Sequence, residues 1–247
     1  MIALHNHSVW SDGAMTVAEL ARQAKGRGFD AVGLTDHFET DKAACRYGRE
    51  DVPAYLAECR AAERDHGVRV LAGCEIDLTA IVERESLFVY DFPARELNQL
   101  DFVLFEYAGT KFTWKRGPHP MRRGDRGAAG DTWQTFAAFR QLIRKPVFLA
   151  HPRFDLAFDE SDEWVVAQLV ARRVGLELNS GQRNRFKDAE GRSVPHYRFR
   201  EPIYRAAARA GIPFITGSDV HARAEELDDS REAWEFACAN ACPLLVC

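Results

Sequence analysis

Short apolar runs that end in a histidine, aspartate or glutamate recur five times along the chain. They end at His5 with His7, at Asp36 with His37, at Glu75, at His151, and at Asp219 with His221. Segments with helical spacing of apolar residues lie between these runs, so short buried strands alternate with helices. Strands that alternate with helices form a parallel sheet, and the carboxyl ends of such strands meet at one rim. The sequence therefore predicts an α/β fold with helices outside and these polar side chains gathered at one edge.

The predicted elements follow this alternation throughout. Strands are expected at residues 2–5, 31–35, 68–76, 102–105, 147–150, 175–178 and 214–216, with a further short strand at 87–90. Helices are expected at residues 16–27, 52–66, 132–144, 162–173, 201–210 and 230–241. The first helix carries clear boundary signals: Thr16 is the N-cap, Glu19 completes a capping box, and Gly28 ends the helix.

Size and composition are those of a folded globular protein. The chain has 247 residues, of which 46% are hydrophobic and 28% charged. This is typical of one α/β barrel, although two small domains would also fit. No internal boundary is evident, so residues 1–247 are expected to form a single domain. The formal net charge of −4 argues against a globally basic nucleic-acid-binding protein.

Several features favour a cytoplasmic protein without a membrane partner. No apolar stretch approaches the ~20 residues that span a bilayer. Residues 1–5 lead directly into a strand and show no signal-peptide pattern. The six cysteines are scattered without a CxxC pair, which favours reduced thiols. Cys238 and Cys242, one helical turn apart, could grip a metal, but small residues at this spacing usually only pack.

The side chains at the strand ends are good metal ligands. His5 and His7 lie two residues apart, so on a strand they face the same side as a chelating pair. Asp219 and His221 repeat this spacing. Imidazole binds zinc, iron and manganese, and a carboxylate can bridge two cations. An isolated histidine is more often structural than a ligand, but the joint pattern predicts a multi-metal hydrolytic site.

The ordered motifs carry a family resemblance. HxH is followed by SDG, TDH, a glutamate after the third strand, AHP and a closing SDxH, together spanning residues 5–221. This set resembles the PHP family, named for polymerase and histidinol phosphatase. The resemblance implies a distorted (β/α)7 TIM-like barrel with parallel strands inside and helices outside. It also implies a metal-dependent phosphoesterase that acts through a metal-activated hydroxide.

The resemblance also implies the residues of the centre. The first metal would be held by His5, His7, Glu75 and Asp219, the second by Asp12, His37 and His221, and a third by Glu75 and His151, with Glu75 bridging. The catalytic set would be Asp12, His37, Glu75 and Asp219. The expected cofactors are two or three divalent ions, with zinc, manganese and iron all compatible with these ligands.

One position departs from the family pattern. The family commonly has a histidine after the fourth strand, where this chain has Ala108. The third site therefore lacks a ligand. Glu106, His119 from the following loop, or a water could substitute, or the third ion could be absent.

Arginines near the predicted rim suit an anionic substrate. Arg153 is the first choice for binding phosphate, followed by Arg183 and Arg185. Each could equally be a solvated surface arginine. A long loop at residues 109–130 adds six lysines and arginines on the same predicted face, which would concentrate anions there.

The substrate class stays open between three hypotheses. A small phosphomonoester, such as histidinol phosphate or a nucleotide, fits a single-domain chain. A nuclease would use the basic loop to track a phosphate backbone, and Phe112, Trp114 and Trp133 could stack bases. With Ala108 in place of a ligand, the chain could instead be a catalytically degenerate binding or regulatory module. The oligomeric state is not fixed by the sequence.

Overall fold

Parallel strands surrounded by helices make up the fold of this chain. The computed structural model describes residues 1–39, 47–77, 92–106, 137, 140–157 and 160–245. The strands are β1 Ile2–Ala3, β2 Ala31–Leu34, β3 Arg69–Ala72, β4 Glu75–Asp77, β5 Val103–Glu106, β6 Val147–Ala150, β7 Val174–Asn179, β8 Arg185–Lys187, β9 Ser193–Pro195 and β10 Phe214–Gly217. The labelled helices are α1 Val17–Gly26, α2 Val52–His66, α3 Ala94–Leu97, α4 Phe154–Ala157, α5 Asp162–Arg172, α6 Glu201–Arg209 and α7 Ser230–Ala239.

Two parallel sheets follow one another around a ring. Their strand orders are β1-β2-β3 and β10-β7-β6-β5-β4. At one junction, β3 and β4 are successive parts of one chain segment. At the other, Leu4 N donates to Thr216 O at 2.7 Å and His7 N donates to Val220 O at 2.9 Å. Since the sheets are joined at both junctions, the strands form seven successive positions when β3 and β4 count as one. The predicted α/β fold with internal parallel strands is confirmed.

The core has an inner and an outer layer. Leu4, Phe102, Phe148 and Ile215 belong to an apolar cluster built from residues of the strands and their immediate ends. A second, larger cluster joins the other faces of the strands to the helices. This alternation of strand residues between two buried layers explains why the strands read as nearly continuous apolar runs. Among the described residues, no helix is both long and apolar enough to cross a bilayer.

The boundary signals of α1 act as the sequence predicts. The Thr16 side chain accepts a hydrogen bond from Glu19 N, and the Glu19 carboxylate accepts one from Thr16 N at 2.8 Å. These reciprocal bonds satisfy two backbone groups that the first helical turn leaves without partners. The helix ends at Gly26, and Gly28 takes the left-handed conformation with φ of 78°.

The remaining differences from the predicted elements are local. The predicted strand at 68–76 is divided into β3 and β4. The antiparallel ribbon of β8 and β9 was not predicted, because strands of three residues carry too little periodicity to be recognised. Of the predicted helix at 132–144, residues 137 and 140–142 are helical. The predicted strand at 87–90 and the basic loop at 109–130 lie outside the described residues.

Candidate metal centre

The eight predicted ligands converge at the carboxyl ends of the parallel strands. They are His5 and His7 after β1, Asp12 in the loop that follows, His37 after β2, Glu75 at the start of β4, His151 after β6, and Asp219 and His221 after β10. Seven of them are buried, and the Asp12 side chain, 28% exposed, is the most accessible. Residues far apart in the sequence thus form one cluster.

One group of predicted ligand atoms surrounds the Nε2 nitrogens of His5 and His7. The Nε2 atoms of His5 and His7 lie 3.1 Å apart. Asp219 Oδ1 is 3.5 Å from the first of these nitrogens and 3.1 Å from the second. Glu75 Oε2 is 3.5 Å from both. This arrangement brings together the four residues predicted to hold a first metal ion.

A second group of predicted ligand atoms surrounds the Asp12 carboxylate. Asp12 Oδ1 lies 3.3 Å from His221 Nε2 and 3.8 Å from His37 Nε2. It also lies 3.6 Å from His7 Nδ1, which the sequence analysis did not place in this set. His7 therefore presents one ring nitrogen to each group.

Glu75 spans the cluster with its two oxygens. Its Oε2 is 3.2 Å from His37 Nδ1, and its Oε1 is 3.4 Å from His151 Nε2. The bridging role that the family resemblance implies for Glu75 stays a prediction, and both of its oxygens face nitrogens of predicted ligands. Glu106, a suggested substitute for the missing ligand, is buried at the end of β5. Ala108 and His119 lie outside the described residues.

The charges of the cluster favour a cation. Burial raises the pKa values of Glu75 and Asp219, but the facing histidines, His5 first, outweigh it and hold both well below the ordinary range. Conversely, burial lowers the pKa of His5, but Glu177, Glu75 and Asp219 raise it well above its usual value. No lysine or arginine among the described residues forms an ion pair with Asp12, Glu75 or Asp219. Buried carboxylates without such partners are suited to binding metal ions.

The donor set fits divalent metal ions. Glu75 Oε1 and His151 Nδ1 are buried atoms without a hydrogen-bond partner among the described residues. Two imidazole nitrogens that face each other at 3.1 Å need either a proton or a cation between them. Imidazole and carboxylate together are typical ligands of zinc, manganese and iron.

Two of the predicted ligands have an uncommon backbone conformation. His151 has a φ of 28° and Asp219 a φ of 57°, both in the left-handed region that disfavours residues with a Cβ. Such strain costs roughly 1–3 kcal/mol and concentrates at functional sites. The surrounding structure thus holds both side chains in place at an energetic cost.

Asp36 of the TDH motif anchors the loop that carries Asp12. Its carboxylate accepts hydrogen bonds from Ser8 N at 2.7 Å, Ser8 Oγ at 2.8 Å and Ser11 Oγ at 2.7 Å. Tyr55 of α2 donates a further bond from its hydroxyl at 3.0 Å. This buried network fixes the first loop against the end of β2.

We expect Tyr55→Phe to lower the free energy of unfolding by about 1.5–3 kcal/mol, because it removes a buried hydrogen bond to a carboxylate. Urea unfolding followed by circular dichroism measures this difference. Tyr197→Phe is the matched control, since the buried Tyr197 hydroxyl has no hydrogen-bond partner among the described residues. Equal unfolding free energies for both variants would contradict the role given to Asp36.

The three predicted phosphate-binding arginines differ in their surroundings. The Arg153 guanidinium lies between the rings of Phe186 and Phe199, 4.3 and 4.2 Å from their centroids. It also bonds Asp155 through Nε at 2.8 Å and Nη2 at 2.7 Å.

Arg185 forms an ion pair with Glu232 at 2.5 Å and donates to Ser193 O at 2.9 Å. Arg183 is exposed and forms no ion pair with another described residue. Its chain neighbour Asn184 donates from Nδ2 to Asp219 Oδ2 at 3.0 Å. Of the three arginines, Arg183 is therefore the one that adjoins a residue bonded to the cluster and is exposed without a described ion-pair partner.

Sequence reasoning missed two residues of the cluster. Glu177, completely buried on β7, accepts a hydrogen bond from His5 Nδ1 at 2.8 Å. A glutamate inside the apolar run from Val174 to Asn179 was a signal that could have identified it. Asn184, which bonds Asp219, had no such signal, since an asparagine in a loop is common.

Comparisons with known proteins place this chain beside phosphatases and a DNA polymerase/3'-5' exonuclease. The PHP domain profile matches residues 3–120. The probable phosphatase of Syntrophotalea carbinolica is 28% identical over 225 residues, which is 89% of this chain and 80% of that protein. The DNA polymerase/3'-5' exonuclease PolX of Bacillus subtilis is 33% identical over 76 residues, but the match spans only 13% of that protein and 30% of this chain.

A solved structure shares the fold. The histidinol phosphate phosphatase of Lactococcus lactis, crystallised with zinc, L-histidinol and phosphate, superposes with a TM-score of 0.60. The match covers 96% of this chain and 93% of that one at 16% sequence identity. At this identity the likeness establishes the common architecture.

Proposed function

We propose that this chain, whose residues 3–120 match the PHP domain, is a metal-dependent phosphoesterase of the PHP family that hydrolyses small phosphomonoesters. The observation that carries the proposal is the cluster of five histidines and three carboxylates at the strand ends, in which Asp12 is the most exposed member and the other seven residues are buried. Such a cluster has the ligand types and the close spacing of a multinuclear hydrolytic centre.

The centre would hold two or three divalent ions drawn from zinc, manganese and iron. His5, His7, Glu75 and Asp219 would hold the first, and Asp12, His37 and His221 the second, with a contribution from His7 Nδ1. Glu75 and His151 would hold a third. When bound, such ions lower the pKa of a water and neutralise charge on phosphoryl oxygens.

The protein supplies orientation and access. Glu75 and Asp219 remain ionised, and Asn184 fixes the second oxygen of Asp219. Asp12 is the most exposed of the three carboxylates, so the substrate enters on its side.

Arg183 binds the non-reacting phosphate oxygens in this proposal. We expect Arg183→Ala to raise KM for an aryl phosphate about 10-fold or more, because a hydrogen bond to a charged group contributes about 1.5–3 kcal/mol. Arg192→Ala is the control, since Arg192 is exposed and paired with Asp188 and Glu190 in the ribbon turn. Steady-state kinetics on both variants measures the difference. Equal KM values would assign the phosphate contact elsewhere.

The relatives favour a phosphomonoester over a nucleic acid. The probable phosphatase aligns over most of both chains, whereas the match to PolX is confined to a small part of that protein. The experiment is a panel that includes histidinol phosphate, nucleoside monophosphates and an aryl phosphate, assayed beside single-stranded oligonucleotides. Turnover of monoesters without cleavage of oligonucleotides supports the proposal.

A 3'-5' exonuclease is the second candidate, because the more identical of the two relatives, PolX, carries that activity in its name. Cleavage of single-stranded oligonucleotides with little monoester turnover would favour it. Salt-sensitive oligonucleotide binding without any turnover would instead favour a binding module, the alternative raised by Ala108.

A further inference from the structure

Glu177 lies on β7, a strand that is buried throughout and otherwise carries apolar residues from Val174 to Leu178. Leu176 and Leu178 point into the outer core layer, so the alternation of a strand sends Glu177 to the inside. Its side chain is completely buried. No lysine or arginine among the described residues pairs with it, and among those residues its ion-pair partner is His5.

Three N–H groups converge on this carboxylate. Its Oε1 accepts from His5 Nδ1 and from Asn179 Nδ2, both at 2.8 Å. Its Oε2 accepts from the backbone N–H of His151 at 2.7 Å. Asn179 is itself held in one orientation, because its Oδ1 accepts from Gly181 N at 3.0 Å. The carboxylate is thus fixed from the ends of both β6 and β7.

The two nitrogens of His5 have different partners. Nδ1 faces Glu177, whereas Nε2 faces His7, 3.1 Å away, within the predicted first metal group. A neutral imidazole that donates its Nδ1 proton carries its lone pair on Nε2. A carboxylate that accepts this proton fixes the tautomer and the ring plane of a metal-binding histidine.

His5, His151 and Glu177 could also be considered as a separate metal site, since their ligand atoms lie close together. Such an ion would need the lone pair of His5 Nδ1 and would have to displace N–H donors from Glu177. Both Glu177 oxygens already accept hydrogen bonds from N–H groups. A nitrogen that donates its proton in this way has no lone pair to offer a cation. The hydrogen bonds therefore favour an orienting carboxylate over a ligand.

We propose that Glu177 is the positioning residue of the centre: it holds His5 in the Nδ1–H tautomer with Nε2 directed at the first metal ion. This inference rests on the proposed metal-dependent function. Glu177 touches neither the substrate nor an ion in this account, and it acts only through His5.

The test compares zinc binding by the wild type, Glu177→Gln and Asn179→Ala. Glutamine is nearly the same size but offers one acceptor oxygen, so one of the converging N–H groups must face an NH₂ group. We expect Glu177→Gln to weaken zinc affinity about 10–100-fold while the number of ions bound at saturation is unchanged. Asn179→Ala, which removes one donor from Glu177, should weaken zinc affinity to a smaller extent. Competition with a chelating zinc indicator gives both affinity and stoichiometry.

A second measurement is independent of activity. In the zinc-loaded wild type, proton NMR should show a slowly exchanging, downfield His5 Nδ1–H resonance, assigned by its loss in His5→Gln. We expect this resonance to be lost or shifted in Glu177→Gln. Tyr204→Phe is the control for general loosening, because the Tyr204 hydroxyl donates to Pro152 O beside His151 without touching Glu177. It should lower the thermal midpoint yet leave zinc affinity and the resonance as in the wild type.

The outcomes separate the two proposals. A folded Glu177→Gln protein with wild-type affinity and resonance would overturn the positioning role and leave the phosphoesterase proposal standing. Loss of one whole equivalent of zinc at saturation would also overturn it, since Glu177 would then be a ligand. A wild type that binds no zinc and hydrolyses no phosphoester would overturn the proposed function, and the inference with it.

Discussion

Glu75→Gln is expected to remove most of the bound metal and to reduce kcat/KM for an aryl phosphate by at least about 10³-fold. Glu75 Oε2 lies 3.5 Å from the Nε2 atoms of His5 and His7 and 3.2 Å from His37 Nδ1. Its Oε1 lies 3.4 Å from His151 Nε2. One substitution that keeps the side-chain shape therefore removes a negative charge shared by every part of the cluster.

Metal content by mass spectrometry and steady-state kinetics measure both effects of this substitution. Glu190→Gln is the control, because Glu190 is exposed in the turn of the β8–β9 ribbon and should leave metal content and kcat/KM unchanged. Wild-type metal content in Glu75→Gln, with kcat/KM reduced by less than about 10-fold, would contradict a bridging role for Glu75.

Gly13→Ala is expected to lower the free energy of unfolding by about 3 kcal/mol, at the upper end for overpacking, and to weaken binding at the second metal group. A Cβ at residue 13 would lie 2.2 Å from His7 O and 2.6 Å from Ser8 N. These are backbone atoms of a loop that Asp36 already anchors, so they cannot rotate away. The loop must shift, and Asp12 with it. This close approach explains the glycine of the SDG motif.

Gly26→Ala is the matched control for this prediction. Gly26 is the last residue of α1, and nothing lies within 4 Å of its added Cβ, so alanine should be neutral or stabilising by up to about 1 kcal/mol. Urea unfolding and zinc titration of both variants give the comparison. Gly13→Ala with wild-type stability and full zinc stoichiometry would show that the first loop tolerates the displacement.

The strand and helix pattern was predictable from the sequence because each buried strand ends at a polar residue and each helix has its own local signals. Thr16 with Glu19, for example, encodes the start of α1 within four residues. The ribbon at Arg185–Lys187 and Ser193–Pro195 was not predictable, since its pairing depends on contacts between short segments without alternation. The break between β3 and β4 falls at Gly73 and Cys74, and an isolated glycine within a strand pattern is a signal for such a break.

The site was predictable to the level of residue types but not of atoms. Motif order placed His7 with the first metal, and only the geometry reveals that its Nδ1 also faces Asp12. Arg153 was the first phosphate candidate because it follows His151 by two residues. Its aromatic neighbours Phe186 and Phe199 lie more than 30 residues away in the chain, so the sequence did not reveal them. Partners distant in sequence decide which nitrogen or guanidinium is available, and a single sequence does not display them.

The central claim is that the buried cluster holds catalytic metal ions, and metal analysis of the protein purified without added metal tests it most directly. The account predicts two or more divalent ions per chain, together with aryl phosphate turnover that is lost on chelation and restored by zinc, manganese or iron. His7→Ala should lose the bound ions and the turnover, because His7 belongs to both groups of predicted ligands. A folded wild-type protein with no bound ion, and no turnover with manganese, zinc, iron or cobalt, would contradict the account.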